Sequence, residues 1–238
     1  MAAHTINILK PSVNNLSVRV FVRAAGLDFE EVDVWGATTG PEYLAKYPAH
    51  LTPTLEAAGL PRGTLGESCA IMQYLCNAHG LDRFYPADPG ERAMLDNAMF
   101  YLVGTFYPLV TRATYPVLGF PQYPGEVATS DAGDEMKAKA QKDAEAALAD
   151  PLEAFGAFFL DTRPFVGGDR PSIADIRWAA SLEFLRAIDY DLPRWADDYV
   201  RRVEQSLGEA YTEPAKDVRD YIAYVKSQSE GAGAAQPA

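Results

Sequence analysis

The chain is predicted to fold as an α/β domain over residues 1–80, then a connector at 81–90, then an all-α domain over 91–228. Three observations carry this. Strand-like and helix-like stretches alternate from Thr5 to Ala78, the signature of an α/β unit. Between Gly80 and Gly90 the run Leu-Asp-Arg-Phe-Tyr-Pro-Ala-Asp-Pro has no apolar period and marks a boundary. Beyond it, the periodic stretches repeat at helical spacing. At 238 residues and 48% hydrophobic content, the chain can build a core as one large or two small domains.

In order, the first domain reads as a strand at Thr5 to Leu9, a helix at about Leu16 to Ala25, and the segment Gly26-Leu-Asp-Phe-Glu-Glu-Val-Asp-Val34. Two short strands follow, Thr54-Leu55 and Thr64-Leu65, flanking a turn at Pro61 to Gly63. Pro53 would remove a ladder donor inside a strand and is at home at a strand start. A cis Thr52-Pro53 bond would turn the amide and carbonyl of Thr52 outward, an edge to which an extended peptide can add like a strand. Glu67 and Ser68 then open an amphipathic run with Ile71, Leu75 and Ala78 expected on one face. A helix start offers free N–H groups to a carboxylate. Ser68 can add a hydroxyl bond to it, and Glu67 can take the neighbouring ammonium. Singly, Glu67 and Ser68 read as helix caps and Pro53 as a strand start; their ordered combination fits the zwitterionic end of an extended peptide.

In the second domain, Glu91 to Phe106 carries Met94, Leu95, Ala98, Met99 and Leu102 at helical spacing. Met136 to Phe159 reads as two helical pieces, with Pro151 in the first turn of the second. Ser172 to Ile188 starts from Ser172 and Asp175, an Asp variant of the capping box. Glu213 to Lys226 is a further helix. Pro116 to Gly133, rich in Pro, Gly and Tyr, is expected as a lid or inserted loop, and residues 229–238 as a disordered small-residue tail.

Charge and composition exclude several functions. A net charge of −12 without clustered Lys and Arg argues against nucleic acid. No apolar run approaches a membrane span, and the N-terminus lacks a basic flank before an apolar core, so a cytoplasmic protein is expected. Cys69 and Cys76 lie about 10 Å apart along one predicted helix, too far for a disulfide, and suit a reducing compartment. His4, His50 and His79 are scattered and make no metal pattern.

The ordered motifs around Pro53 and Glu67-Ser68, with the box Phe165-Val-Gly-Gly-Asp-Arg-Pro-Ser-Ile-Ala-Asp175 far downstream, resemble the cytosolic glutathione S-transferases. The likeness covers nearly the whole chain, weakest from Tyr107 to Asp150 and absent from the tail, with bacterial-type, theta- and beta-like features. It implies a thioredoxin-like first domain, glutathione as co-substrate, a hydrophobic electrophile as second substrate, a role in detoxification and a homodimer. The exposed face of the helix holding Cys69 is one possible dimer contact.

Such an enzyme must ionise the tripeptide's thiol. A free thiol has a pKa near about 8.5, and lowering it by about two units takes roughly 2.7 kcal/mol. A hydrogen bond to the anion supplies about 1.5 to 3 kcal/mol, and a helix N-terminus roughly 0.3 to 1. The loop Lys10-Pro-Ser-Val-Asn-Asn-Leu-Ser17 stands where the donor should be and offers Ser12, Asn14, Asn15 and Ser17. Counting back from Gly26-Leu-Asp-Phe29, Ser12 resembles the activating Ser of theta- and delta-like branches, and Asn14 falls where the beta-like branch carries Cys. Ser12 leads, Asn14 is second, and Asn15 is expected to cap the helix.

The family's usual Asn-Pro is here Tyr47-Pro48. Leu51 aligns with a common Lys or Gln that reaches the glycine carboxylate, a role left to His50 or to none. The loop Gly36 to Gly40 holds only Ala37, Thr38 and Thr39 where a basic side chain could have reached in. By family analogy the electrophile pocket is lined by Tyr107, Thr111 and Tyr115, whose hydroxyls can polarise a leaving group, while Phe100 and Leu102 are assigned to the core. Substitution, addition, epoxide opening and reductive ether cleavage are all open. The alternatives are a specialised dehalogenase, isomerase or ether-cleaving enzyme, and a scaffold protein that kept the fold without catalysis.

Overall fold

The computed structural model describes residues 4–120 and 133–233, with side chains described as far as 228. The first domain runs β1 (His4–Ile8), α1 (Val13–Ala24), β2 (Phe29–Asp33), α2 (Pro41–Lys46), β3 (Thr54–Glu56), β4 (Thr64–Gly66) and α3 (Ser68–His79). Its four-stranded sheet has the order β2-β1-β3-β4. β1 and β2 are parallel, as the crossover through α1 requires; β3 and β4 are antiparallel neighbours joined by the expected hairpin. The Thr52-Pro53 bond is cis. Short α2 lies in a stretch that shows no apolar period in the sequence.

Two expectations here are corrected. α1 begins at Val13 with Ser12 as its N-cap, so Asn15 is not a cap but a fully buried residue inside the first turn. α3 buries Ile71, Met72, Leu75 and Cys76, whereas Ala78 is exposed.

The second domain is entirely helical among the described residues. α4 (Pro89–Tyr101) passes through a π turn (Leu102–Phe106) straight into α5 (Tyr107–Leu118), so Pro116, expected in a lid, lies inside a helix. The remainder of that expected lid, 121–132, lies outside the described residues. Then come α6 (Asp134–Ala146), α7 (Ala149–Ala154) with a π segment at Phe155–Leu160, α8 (Ile173–Leu182) with a 3-10 turn at Glu183–Ile188, α9 (Arg194–Leu207) and α10 (Glu209–Gly233). α9 was not read from the sequence. α10 extends beyond the expected Glu213 to Lys226 and reaches Gly233, into the run expected to be a disordered tail. Residues 234–238 lie outside the described residues.

The domains share one core. Trp178 on α8 is fully buried, with Phe106 stacked 5.0 Å and Phe155 3.7 Å from its ring centroid, each from a π segment. α1 is the common element, packed against both α8 and α10. Arg19, 4% exposed, fastens it by donating to Glu31 at 3.0 Å and to Asp217 on α10 at 2.8 Å. Asp175 organises the start of α8. Its carboxylate accepts from the amides of Val166 (2.7 Å), Gly167 (3.0 Å) and Ser172 (2.8 Å), from the Ser172 hydroxyl (2.7 Å) and from Tyr199 (2.9 Å). The Ser172–Asp175 capping box is complete.

Candidate active site

The end of β1 and the start of α1 present two side chains not consumed by the fold. Ser12 is the N-cap, yet its side chain makes no capping bond. The two bonds assigned to it are through backbone, Ser12 N–H to the Leu9 carbonyl and the Leu16 N–H to its own carbonyl. Asn14, two positions on and half-buried, accepts at Oδ1 from Arg177 of α8, and its Nδ2 donates to no described residue. Ser17, the fourth candidate, is buried and bonds the Asn14 carbonyl at 2.7 Å, a structural use.

Asn15 ties this start to the proline loop by donating from Nδ2 to Thr52 Oγ1 at 3.1 Å. Tyr43 secures the same loop from α2, with its hydroxyl 2.6 Å from the Leu51 carbonyl and 3.2 Å from Thr54 Oγ1. Between these anchors, neither backbone group of Thr52 bonds a described residue, so its amide and carbonyl are available to an added strand. Pro53 is buried behind it. His50 is exposed, with φ of 48°, and its side chain bonds no described residue.

At the start of α3, Glu67 is exposed with φ 65° and ψ 116°, and its side chain does not cap the helix. The first-turn N–H groups therefore stay open to an anion. Ser68, 5% exposed, follows. Tyr47, the departure from Asn-Pro, packs its phenol on the backbone of Gly66 just before them. Burial pushes the Tyr47 hydroxyl up, and the Glu67 charge adds to this. Burial likewise raises Tyr43. Both phenols stay protonated, as does Cys69, whose thiol burial pushes up against the pull of Arg177 and Ser68.

The starts of α1 and α3 thus share a neighbour that sequence reasoning missed, Arg177. It bonds Asn14 and Ser181, lies 4.8 Å from the Tyr107 ring centroid and acts on Cys69. Its signal was present, as the single basic residue in the otherwise largely apolar helix from Ile173 to Leu182.

Of the three expected pocket residues, two meet. Tyr107 and Tyr115 stand hydroxyl to hydroxyl at 3.2 Å on α5. Thr111 is a correction: it is fully buried and donates to the Pro108 carbonyl at 2.9 Å, so it lines no open wall. Phe100 is a second correction, 64% exposed rather than core, whereas Leu102 is fully buried. From Tyr115 the aromatic-rich stretch continues through Phe120 and meets buried Phe184 and half-buried Tyr221, which the sequence did not reveal, with Phe120 and Tyr221 stacked at 5.6 Å. Trp35, 55% exposed on the loop after β2, joins it at 6.0 Å from Tyr221.

A mixed sheet in the order β2-β1-β3-β4, a cis-proline loop ahead of β3 and a helical domain docked on α1 define a two-domain architecture with a thioredoxin-like first domain. The family description "Glutathione S-transferase, N-terminal domain" matches residues 12–83, and "Glutathione S-transferase, C-terminal domain" matches 134–204, together more than half of the chain. The chain belongs to the glutathione S-transferase family. It is 25% identical over 190 residues to glutathione S-transferase D6 of Drosophila melanogaster, covering 77% of this chain and 78% of that one. Bombyx mori glutathione transferase BmGSTD1, solved in complex with GTT, superposes with a TM-score of 0.74 at 28% identity, covering 94% of this chain and 98% of that one. A human theta-class enzyme, in complex with the glutathione conjugate of 1-menaphthyl sulfate, shares the fold with a TM-score of 0.78 at 21% identity, over 97% and 92% of the two chains. No helix among the described residues is long and apolar enough to cross a membrane.

Proposed function

We propose that this glutathione S-transferase binds glutathione along Thr52, Glu67 and Ser68, ionises its thiol with Ser12 or Asn14, Ser12 leading, and delivers the thiolate to a small apolar electrophile. One observation carries the reading: the start of α1 presents a hydroxyl and a carboxamide N–H that the fold leaves unused, beside a proline loop whose Thr52 backbone groups are also unused. The tripeptide's γ-glutamyl carboxylate would meet the open first turn of α3, its ammonium Glu67, and its cysteinyl backbone Thr52. Ser12 then donates to the sulfur. Burial keeps the Tyr43 and Tyr47 phenols and the Cys69 thiol protonated. The sulfur bonds to an electrophilic carbon as a leaving group departs or a double bond or ring opens, with the Tyr107 and Tyr115 hydroxyls, 3.2 Å apart, as the candidate donors to the developing charge.

The insect D-type relatives reported above, at 25% and 28% identity, fit the delta-like branch whose serine Ser12 resembles. Homodimerisation and a cytoplasmic setting belong to the same reading; Met94, Phe100 and Val103 on α4 and its π turn are exposed apolar residues available to a second copy.

Calorimetry with glutathione tests the binding step, and absence of heat at millimolar ligand would favour a scaffold protein instead. Where heat is seen, the ultraviolet thiolate band of the complex is expected to shrink markedly in Ser12→Ala. An unchanged band would transfer the role to Asn14.

A further inference from the structure

Arg177 is 1% exposed, and among the described residues no carboxylate pairs with it. Its guanidinium is held by Asn14 Oδ1, by the Ser181 hydroxyl, by the Cys69 thiol and by the face of Tyr107, and its Nε is buried without an acceptor. A buried cation lacking a counter-charge is costly, and its positive potential is poorly screened. That potential is aimed at the first turn of α1, where the partial charge of the helix N-terminus has the same sign.

The bond to Asn14 has a stereochemical consequence. A guanidinium can only donate, so the carboxamide must turn its oxygen to Arg177 and its NH2 away from it. That NH2 makes no bond to any described residue. Drawing electron density from the oxygen also makes the amide N–H a stronger donor, as coupled hydrogen bonds do in a low-dielectric site.

We infer that Arg177 is a positioning residue for the thiol chemistry: it locks the Asn14 carboxamide with its NH2 end presented to the glutathione sulfur, making Asn14 a second, pre-oriented donor beside Ser12. The inference rests on the glutathione reading above and extends it to a residue of the helical domain, so that α8 takes part in activating a peptide bound on the other domain.

The test is a pH titration of the bound thiolate by its ultraviolet band, in a cycle of Arg177→Met, Asn14→Ala and the double variant, each first checked for glutathione heat and a cooperative melt. Arg177→Met is expected to move the apparent thiol pKa up by about one unit, and to add little in the Asn14→Ala background, because both changes remove one interaction. An unshifted titration in a folded, glutathione-binding Arg177→Met, or a shift that adds in full to that of Asn14→Ala, overturns the inference while leaving the glutathione reading intact. No heat in the unsubstituted protein overturns both. Should Arg177→Met fail to fold, Arg177→Lys takes its place. It keeps the charge but loses the planar fork, so an upward shift supports orientation of Asn14 and no shift overturns it.

Discussion

The phenol of Tyr47 lies so close over Gly66 that a Cβ on that glycine would stand 2.0 Å from Tyr47 Oη and 2.2 Å from its ring carbon. The aromatic residue that replaces the family's Asn-Pro asparagine is therefore seated on the backbone leading into Glu67 and Ser68.

Gly66→Ala is expected to destabilise by about 1 to 3 kcal/mol through overpacking and to weaken glutathione binding, because the displaced phenol disturbs the start of α3. Thermal melts and calorimetry measure both. Tyr47→Ala in the same chain should recover most of the lost melting temperature; Tyr47→Phe should not, since the ring carbon itself is in the way. Equal melting of Gly66→Ala and the unsubstituted protein would contradict this packing.

Asn15→Ala removes the bond to Thr52 and is expected to cost about 1 kcal/mol of stability, with a larger relative loss of glutathione affinity as the loop before Pro53 slackens. Thr52→Val should behave alike, and the double variant should be no worse than either alone. Full additivity in the Kd values would show that the two side chains act separately.

Asp175→Ala strands the donors of Val166, Gly167, Ser172 and Tyr199 in a dry site. A loss of about 3 kcal/mol or more is expected, read as a lower urea midpoint with unchanged slope. Tyr199→Phe, which removes one donor, should cost about 1 kcal/mol. A Tyr199→Phe effect as large as that of Asp175→Ala would place the strain elsewhere.

Acid should unfold the protein through its arginine-paired glutamates. Burial would raise Glu31, but Arg23 and Arg19 outweigh it and hold the carboxyl below its usual value; the Arg219 hydrogen bond does the same for Glu204. Because both folded values lie below the unfolded one, their stabilisation is present in full above about pH 4.5 and drains away as pH falls through the depressed values. Melting temperature against pH should therefore drop steeply on the acid side, and Glu31→Gln should flatten that drop. An unaltered slope in Glu31→Gln would remove Glu31 from the account.

The sheet, the hairpin, the cis-proline loop and the capping box were legible because each is written locally, in turn residues, in Pro53 and in the Ser172-to-Asp175 spacing. α9 was equally written, in buried Ala196, Tyr199, Val200, Val203 and Leu207, but its dense charge concealed the stripe. The α4–α5 junction was harder: the π turn shifts the apolar phase only beyond it, so Thr111 goes under, whereas Phe100, upstream on α4, faces solvent opposite buried Leu95, Ala98 and Leu102. Asn15 as a cap was a reasonable reading of residue preference, overruled by the long-range bond to Thr52. Arg177 depends on tertiary placement alone, since nothing local links it to Asn14, 163 positions earlier in the chain.

The aromatic sandwich around Trp178 has an optical corollary. Its indole is sealed between Phe106 and Phe155 and its N–H is held by the Ala98 carbonyl at 2.9 Å, whereas Trp35 sits more than half in water beside Phe120 and Tyr221. The first will emit toward the blue and resist quenchers; the second will emit toward the red and dim on contact with them. Once half-buried Trp195 is replaced by Phe, intrinsic fluorescence can follow a ligand settling on the aromatic cluster at one wavelength and the integrity of the helical domain at another, without any attached dye.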